Sequence, residues 1–167
     1  HFVSGAEMFD NSMFGMSTAE VQSTDPSHRI MLETVLGACT WSGLTKSMLL
    51  GTKTGMFLGI CNVGDWPQLR RDMNAKTSIF STHGSDGGAA AGRVSYLFGL
   101  KGPCFSVNTA CSSSLVALDA GCQNLRLGTC ESTLVAGVCL QLHAASWAGF
   151  CTLHALTLDG QCKTFDA

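Results

Sequence analysis

The stretch that most constrains this chain covers residues 102–118, Gly-Pro-Cys-Phe-Ser-Val-Asn-Thr-Ala-Cys-Ser-Ser-Ser-Leu-Val-Ala-Leu. A Gly-Pro turn opens it, and residues 105–109 then mostly alternate apolar and polar, the period of a strand. Ala110, Ser112, Ser113 and Ser114 follow with Cys111 among them. The apolar positions then switch to Leu115, Leu118 and Cys122, three and four apart, as on one face of a helix. The pattern reads as strand, tight turn and helix, with a cysteine at the corner. A thiol placed there meets unpaired N–H groups and the positive end of the helix dipole, which favour thiolate. Small neighbours allow a substrate close to the backbone, and Ser112 or Ser113 is placed to cap the helix. The residues alone leave three readings of Cys111 open: nucleophile, packed core thiol, or accident.

Elsewhere the signals are those of an α/β chain. Residues 2–17 read as irregular or briefly helical, anchored by aromatic residues, and 17–21 as one helical turn. Asp25-Pro26 marks a helix start, cap then first position. Ile30, Met31, Val35, Ala38 and Cys39 recur at helical spacing, and Gly43 is the stop. Gly37 inside this helix costs about 1 kcal/mol relative to Ala, which implies that something packs closely against it. Residues 54–61 form an apolar run without helical period, a buried strand. Residues 62–81 read as a surface excursion with one helix, and 82–88 as a loop. Gly87 to Gly92 open a helix so short of side-chain bulk that a backbone or ligand can approach it. A helix over 112–127 stops at Gly128, and 132–142 is the longest strand candidate. Strand, helix, strand at this distance is a βαβ unit. Residues 144–158 show no clear period, and Asp159-Gly160 is a turn.

An apolar content of 46% with 13% charged residues can fill a core and argues against disorder. A formal charge of −2 gives no reason to expect nucleic acid or an anionic membrane as partner. No apolar run reaches the roughly 18 residues of a membrane span, and no signal peptide is visible. Nine cysteines without a Cys-x-x-Cys pair argue against zinc, and with no secretory signal visible a disulfide framework is not expected. A reducing, cytoplasmic setting is expected, with the thiols other than Cys111 acting as small core hydrophobes; Cys122 and Cys139 lie in strongly apolar stretches. A thiolate nucleophile normally works with a histidine, but none of His1, His28, His83, His143 and His154 lies in a context that marks it as a base. Asp25, Arg93 and Asp159 read as cap, ion-pair or surface residue, and turn. The glycines at 84–88 match neither a P-loop nor a dinucleotide fingerprint.

The run Asn108-Thr-Ala-Cys-Ser-Ser-Ser-Leu resembles the active-site segment of β-ketoacyl synthases, in particular the ketosynthase domains of type I polyketide synthases. Further segments agree in order: Phe9-Asp10 with Phe14-Gly15-Met16-Ser17, Asp25-Pro26-Ser27-His28-Arg29 with Leu32-Glu33, and Ala91-Gly92-Arg93-Val94-Ser95-Tyr96. So do Gly99-Leu100-Lys101-Gly102-Pro103, Ala136-Gly137-Val138 and the closing run 159–167. The likeness covers essentially the whole chain.

The resemblance implies a thiolase-like fold. Residues 1–167 would be part of its N-terminal half, truncated at both ends, with a mixed sheet, flanking helices and the nucleophile at a strand-to-helix elbow. It implies that Cys111 accepts an acyl chain from the phosphopantetheine arm of an acyl carrier protein, and that its N–H contributes to an oxyanion hole. Decarboxylation of a malonyl-type extender would then drive a Claisen condensation. No cofactor is expected to be bound directly, and the full domain is expected to be a homodimer. The family's two catalytic histidines and supporting lysine are expected beyond the end of this sequence, so no histidine here inherits that role. Asn108, Leu158 and Gly88 stand where the family usually has Asp, Pro and Ser. Two alternatives remain: the condensing domain of an animal-type fatty acid synthase, and a chain that is non-catalytic as it stands.

Overall fold

The computed structural model describes residues 3–61, 64–162 and 164. Of the features weighed above, His1, residue 2 of the opening segment and residues 163 and 165–167 of the closing run lie outside the described residues, as do positions 62–63 of the surface excursion. Three strands, β1 (Thr54–Ile60), β2 (Cys104–Val107) and β3 (Ser132–Val138), make one sheet in the order β2-β1-β3. Both pairings are parallel, with Met56 beside Cys104 and with Thr54 to Ile60 beside Ser132 to Val138. These three strands are purely parallel, where the resemblance implies a mixed sheet.

β1 is central and buried along its whole length, which explains its unbroken apolar run. Its alternate residues serve two different faces. Met56, Leu58 and Ile60 join Leu134, Ala136 and Val138 of β3 in the main apolar core. Two helices cover that face. The first, α2 (Pro26–Trp41), follows α1 (Thr18–Ser23), which Ser17 caps by accepting from Glu20 N–H at 3.2 Å. Asp25 starts α2 as expected, accepting from Ser27 N–H at 2.7 Å, and α2 buries Met31, Leu32, Val35 and Cys39. The short α3 (Lys46–Leu49) leads into β1. The second covering helix, α6 (Gly87–Phe98), is capped by Asp86 and lays Ala90, Ala91, Val94 and Phe98 inward. Its small residues do permit the close approach read from them, with Ala90 and Ala91 wholly buried. Gly37 of α2 corrects its expectation: a Cβ there would meet nothing within 4 Å.

Between β1 and α6 lie α4 (Asp65–Asp72) and α5 (Ser81–Ser85), the latter a helical turn where a loop was expected. The opposite sheet face carries α7 (Ser113–Arg126), as predicted, but with a different side turned inward. Ser113, Ala117 and Gly121, four apart, lie against the sheet, whereas Leu115 is 69% exposed and Leu118 48%. Small residues are what the contact needs. A Cβ on Gly59 of β1 would fall 2.5 Å from the Ser113 carbonyl carbon, and one on Gly137 of β3 2.7 Å from Ser114 Cβ. The helix therefore rests on the sheet backbone at its N-terminal end, and Phe57 fills the space toward Gly121. A final helix, α8 (Ala144–Thr152), runs through the region without a clear period.

Candidate active site

Between β2 and α7 the chain makes a single 3₁₀ turn, Ala110–Ser112, with Cys111 in its middle. Ala110 has φ +55°, a left-handed conformation that a non-glycine residue adopts only under constraint. Four side chains impose it. Asn108 Oδ1 accepts from Ala110 N–H at 3.1 Å. Ser113 Oγ accepts from Thr109 N–H at 2.9 Å and donates to Ala110 O at 2.6 Å. Ser112 Oγ donates to Thr109 O at 2.8 Å and lies 2.9 Å from Thr109 Oγ1. Ser112 and Ser113 thus staple the corner and do not cap α7, which has no side-chain cap. The reason is local: both hydroxyls are already committed to the preceding turn. Asn108 does through its amide oxygen what an Asp carboxylate would do at the same place.

Cys111 is exposed and opens into a cleft of about 710 Å³. The cleft lies where the carboxyl ends of all three parallel strands meet, the usual ligand position in open α/β sheets. Gly59 and Cys61 come from the end of β1, Asn108 from beyond β2, and Gly137, Val138 and Cys139 from the end of β3. Ser113 and Ser114 of α7, with Gln141 and Phe150, complete the wall.

Cys61, Cys139 and Phe150 are site residues that sequence reasoning missed. Only Cys39 and Cys130 are buried as small core hydrophobes; Cys122 is half-buried and Cys139 faces the cleft. The physical reason is that residues 61 and 139 fall one step beyond the paired strands, on the side opposite Ile60 and Val138. The Cys139 thiol is pushed up to about 12, first by removal of water around it, then by its hydrogen bond with Cys61 and the charge of that neighbour, and by Asp65. Gln141 Nε2 donates to its sulfur at 3.6 Å.

Asp65, the buried first residue of α4, holds this rim in place. Its Oδ2 accepts from Leu142 N–H at 2.9 Å and His143 N–H at 3.2 Å, and its Oδ1 from Ser146 Oγ. His143 is structural too. Its Nδ1 accepts from Ala145 N–H at 3.1 Å as the cap of α8, which leaves Nε2 to donate to Asp72 at 2.7 Å. That hydrogen bond, more than any other, holds Asp72 below its ordinary carboxylate value. His28 is fully buried on the other side of the sheet with neither ring nitrogen hydrogen-bonded. Burial, assisted by the positive charge of Arg93, lowers its pKa to about 4. Arg93 pairs with Glu20 at 2.6 Å, the structural role expected of it. No described histidine lines the cleft. Among the described residues no three His, Cys, Asp or Glu side chains gather as a metal site, and no helix is long and apolar enough to cross a membrane.

The site is thus a cysteine at a strand-to-helix corner of an α/β fold, beside the glycines of β1 and β3 and open to a cleft at the strand ends. The family model described as "Beta-ketoacyl synthase, N-terminal domain" matches residues 1–167, and the chain belongs to that family. It is 38% identical over 166 residues to a component of the phenolphthiocerol/phthiocerol polyketide synthase of Mycobacterium bovis, covering 99% of this chain and 9% of that protein. It is also 38% identical over 161 residues to the highly reducing polyketide synthase valA of Aspergillus terreus, covering 95% of this chain and 6% of that protein. Among solved structures, the ketosynthase from module 6 of the bacillaene synthase of Bacillus subtilis 168 superposes with a TM-score of 0.86 at 33% identity. That match covers 97% of this chain and 27% of the solved one. The chain thus spans under a tenth of the length of these two curated relatives, and its fold is that of ketosynthase domains.

Proposed function

We propose that the protein carrying this chain is a ketosynthase of polyketide biosynthesis, with Cys111 as its acyl-accepting nucleophile. The observation that carries this reading is the placement of Cys111 on a constrained turn at the mouth of a cleft that gathers all three strand ends. The Cys111 sulfur attacks the carbonyl carbon of an acyl thioester on the phosphopantetheine arm of an acyl carrier protein. The arm's thiol leaves, and the acyl group remains on Cys111. Loss of carbon dioxide from a malonyl-type extender then yields the carbanion equivalent that attacks this thioester and expels Cys111, giving a β-ketoacyl product. The Cys111 N–H, in the 3₁₀ turn that leads into α7, contributes to stabilising the oxyanion in both acyl transfers.

The protein binds no cofactor of its own; the phosphopantetheine arm arrives with the substrate. It works in the cytoplasm and as a homodimer; the dimer reading is supported by the outer edge of β2, which no other strand pairs among the described residues and where Phe105 is exposed. The polyketide synthases among its relatives favour this reading over a fatty acid synthase condensing domain. With the full-length protein, an acyl thioester and a malonyl thioester, Cys111→Ala is expected to lower β-ketoacyl product formation more than about 1,000-fold. Product formation at the unmutated rate would overturn the proposal.

A further inference from the structure

The cleft holds two thiols besides Cys111, and the acyl-transfer reading uses neither. Cys61 and Cys139 stand one residue beyond the last paired positions, Ile60 of β1 and Val138 of β3. Neighbouring strands lie about 4.8 Å apart, inside the roughly 4.4–6.8 Å between Cα atoms that a disulfide spans. Both line the same cavity, and Cys61 is among the neighbours that hold the Cys139 proton. Neither is disulfide-bonded.

We propose that Cys61 and Cys139 are a reversible dithiol–disulfide site in the cleft wall, oxidised by low-molecular-weight disulfides of the glutathione type. The Cys61 thiolate attacks one sulfur of the small disulfide. A bond forms between Cys61 and one half, and the other half leaves as a thiolate and takes up a proton. Once Cys61 is capped, its charge no longer opposes ionisation of Cys139, one of the causes that hold that proton. Cys139 then loses its proton to solvent, attacks the Cys61 sulfur and expels the second half. The two cysteines are oxidised by two electrons, and the small disulfide is reduced to two thiols. The assignment does not depend on the role of Cys111.

The test is to incubate the full-length protein with oxidised glutathione, block remaining thiols with N-ethylmaleimide and digest with trypsin without reduction. Peptide 54–70 contains Cys61 as its one cysteine, 102–126 contains Cys111, and 127–163 contains Cys139. The expected product is 54–70 joined to 127–163, two hydrogens lighter than their sum, with fragment ions placing the bridge at Cys139. It should disappear with dithiothreitol and in Cys61→Ser. Linkage of Cys61 to any other cysteine would overturn the proposal. So would Cys61 carrying only glutathione or only the blocking group.

Discussion

The two faces of β1 are built on opposite rules. Toward α2 and α6, Met56, Leu58 and Ile60 fill space with bulk, and their neighbours Leu32, Ala90 and Val94 are almost fully enclosed. Toward α7, Gly59 removes bulk so that the first turn of the helix can touch the strand backbone, and beyond that contact the cleft opens. One face secures the sheet; the other sets where Cys111 stands. The division keeps most of the stabilising core apart from the cleft, with Val138 at the end of β3 the residue common to both.

That division can be broken from either side. Leu58→Ala empties fully buried volume on the core face and is expected to cost about 3–4 kcal/mol. Denaturant unfolding should show this loss, while alkylation of Cys111 in the folded protein stays near its normal rate. The same face carries a pH dependence of similar size. His28 has a folded pKa of about 4 against 6.5 unfolded, so the unfolded chain takes up the proton first as pH falls. Stability is therefore full above pH 6.5, falls as the pH drops from there toward 4, and is flat in this respect below 4. The span corresponds to about 3 kcal/mol, and His28→Met should remove it from a stability–pH curve.

On the other face, Gly59→Ala is expected to cost about 2–3 kcal/mol, since its Cβ meets the backbone of Ser113 and Ser114 and has no flexible side chain to displace. Unlike Leu58→Ala, it should also change the alkylation rate of Cys111 in the folded protein, because the elbow has to move. An unchanged rate would dissolve the distinction between the faces. The smallest effect has the opposite sign. Gly37→Ala, in α2 with open space around it, should raise stability by about 0.5–1 kcal/mol in the same unfolding measurement.

Much of this was legible beforehand because it rests on periodicity and on turn chemistry. Asp25-Pro26, the apolar run of β1 and the switch of period around Cys111 each name an element directly. The inward face of α7 was not legible, since Ser113, Ala117 and Gly121 are chosen for smallness and the conspicuous leucines point outward. Residues 144–158 hid α8 for a related reason: its apolar and small residues fall on all sides, and its cap is His143, an unusual one. The cleft itself was out of reach. Cys61 and Cys139 are 78 residues apart in sequence, and only the parallel pairing of β1 with β3 makes them neighbours. Within a hydrophobic run, a cysteine that faces solvent at a strand end looks the same as one that faces the core.

Three thiols share one cleft, and only Cys111 stands on the constrained turn. The direct measurement is to expose the full-length protein to a labelled acyl thioester and map the label after digestion. Acylation is predicted on peptide 102–126 at Cys111, lost in Cys111→Ala and kept in Cys61→Ser and Cys139→Ser. Label on Cys61 or Cys139, or label that persists in Cys111→Ala, would contradict it.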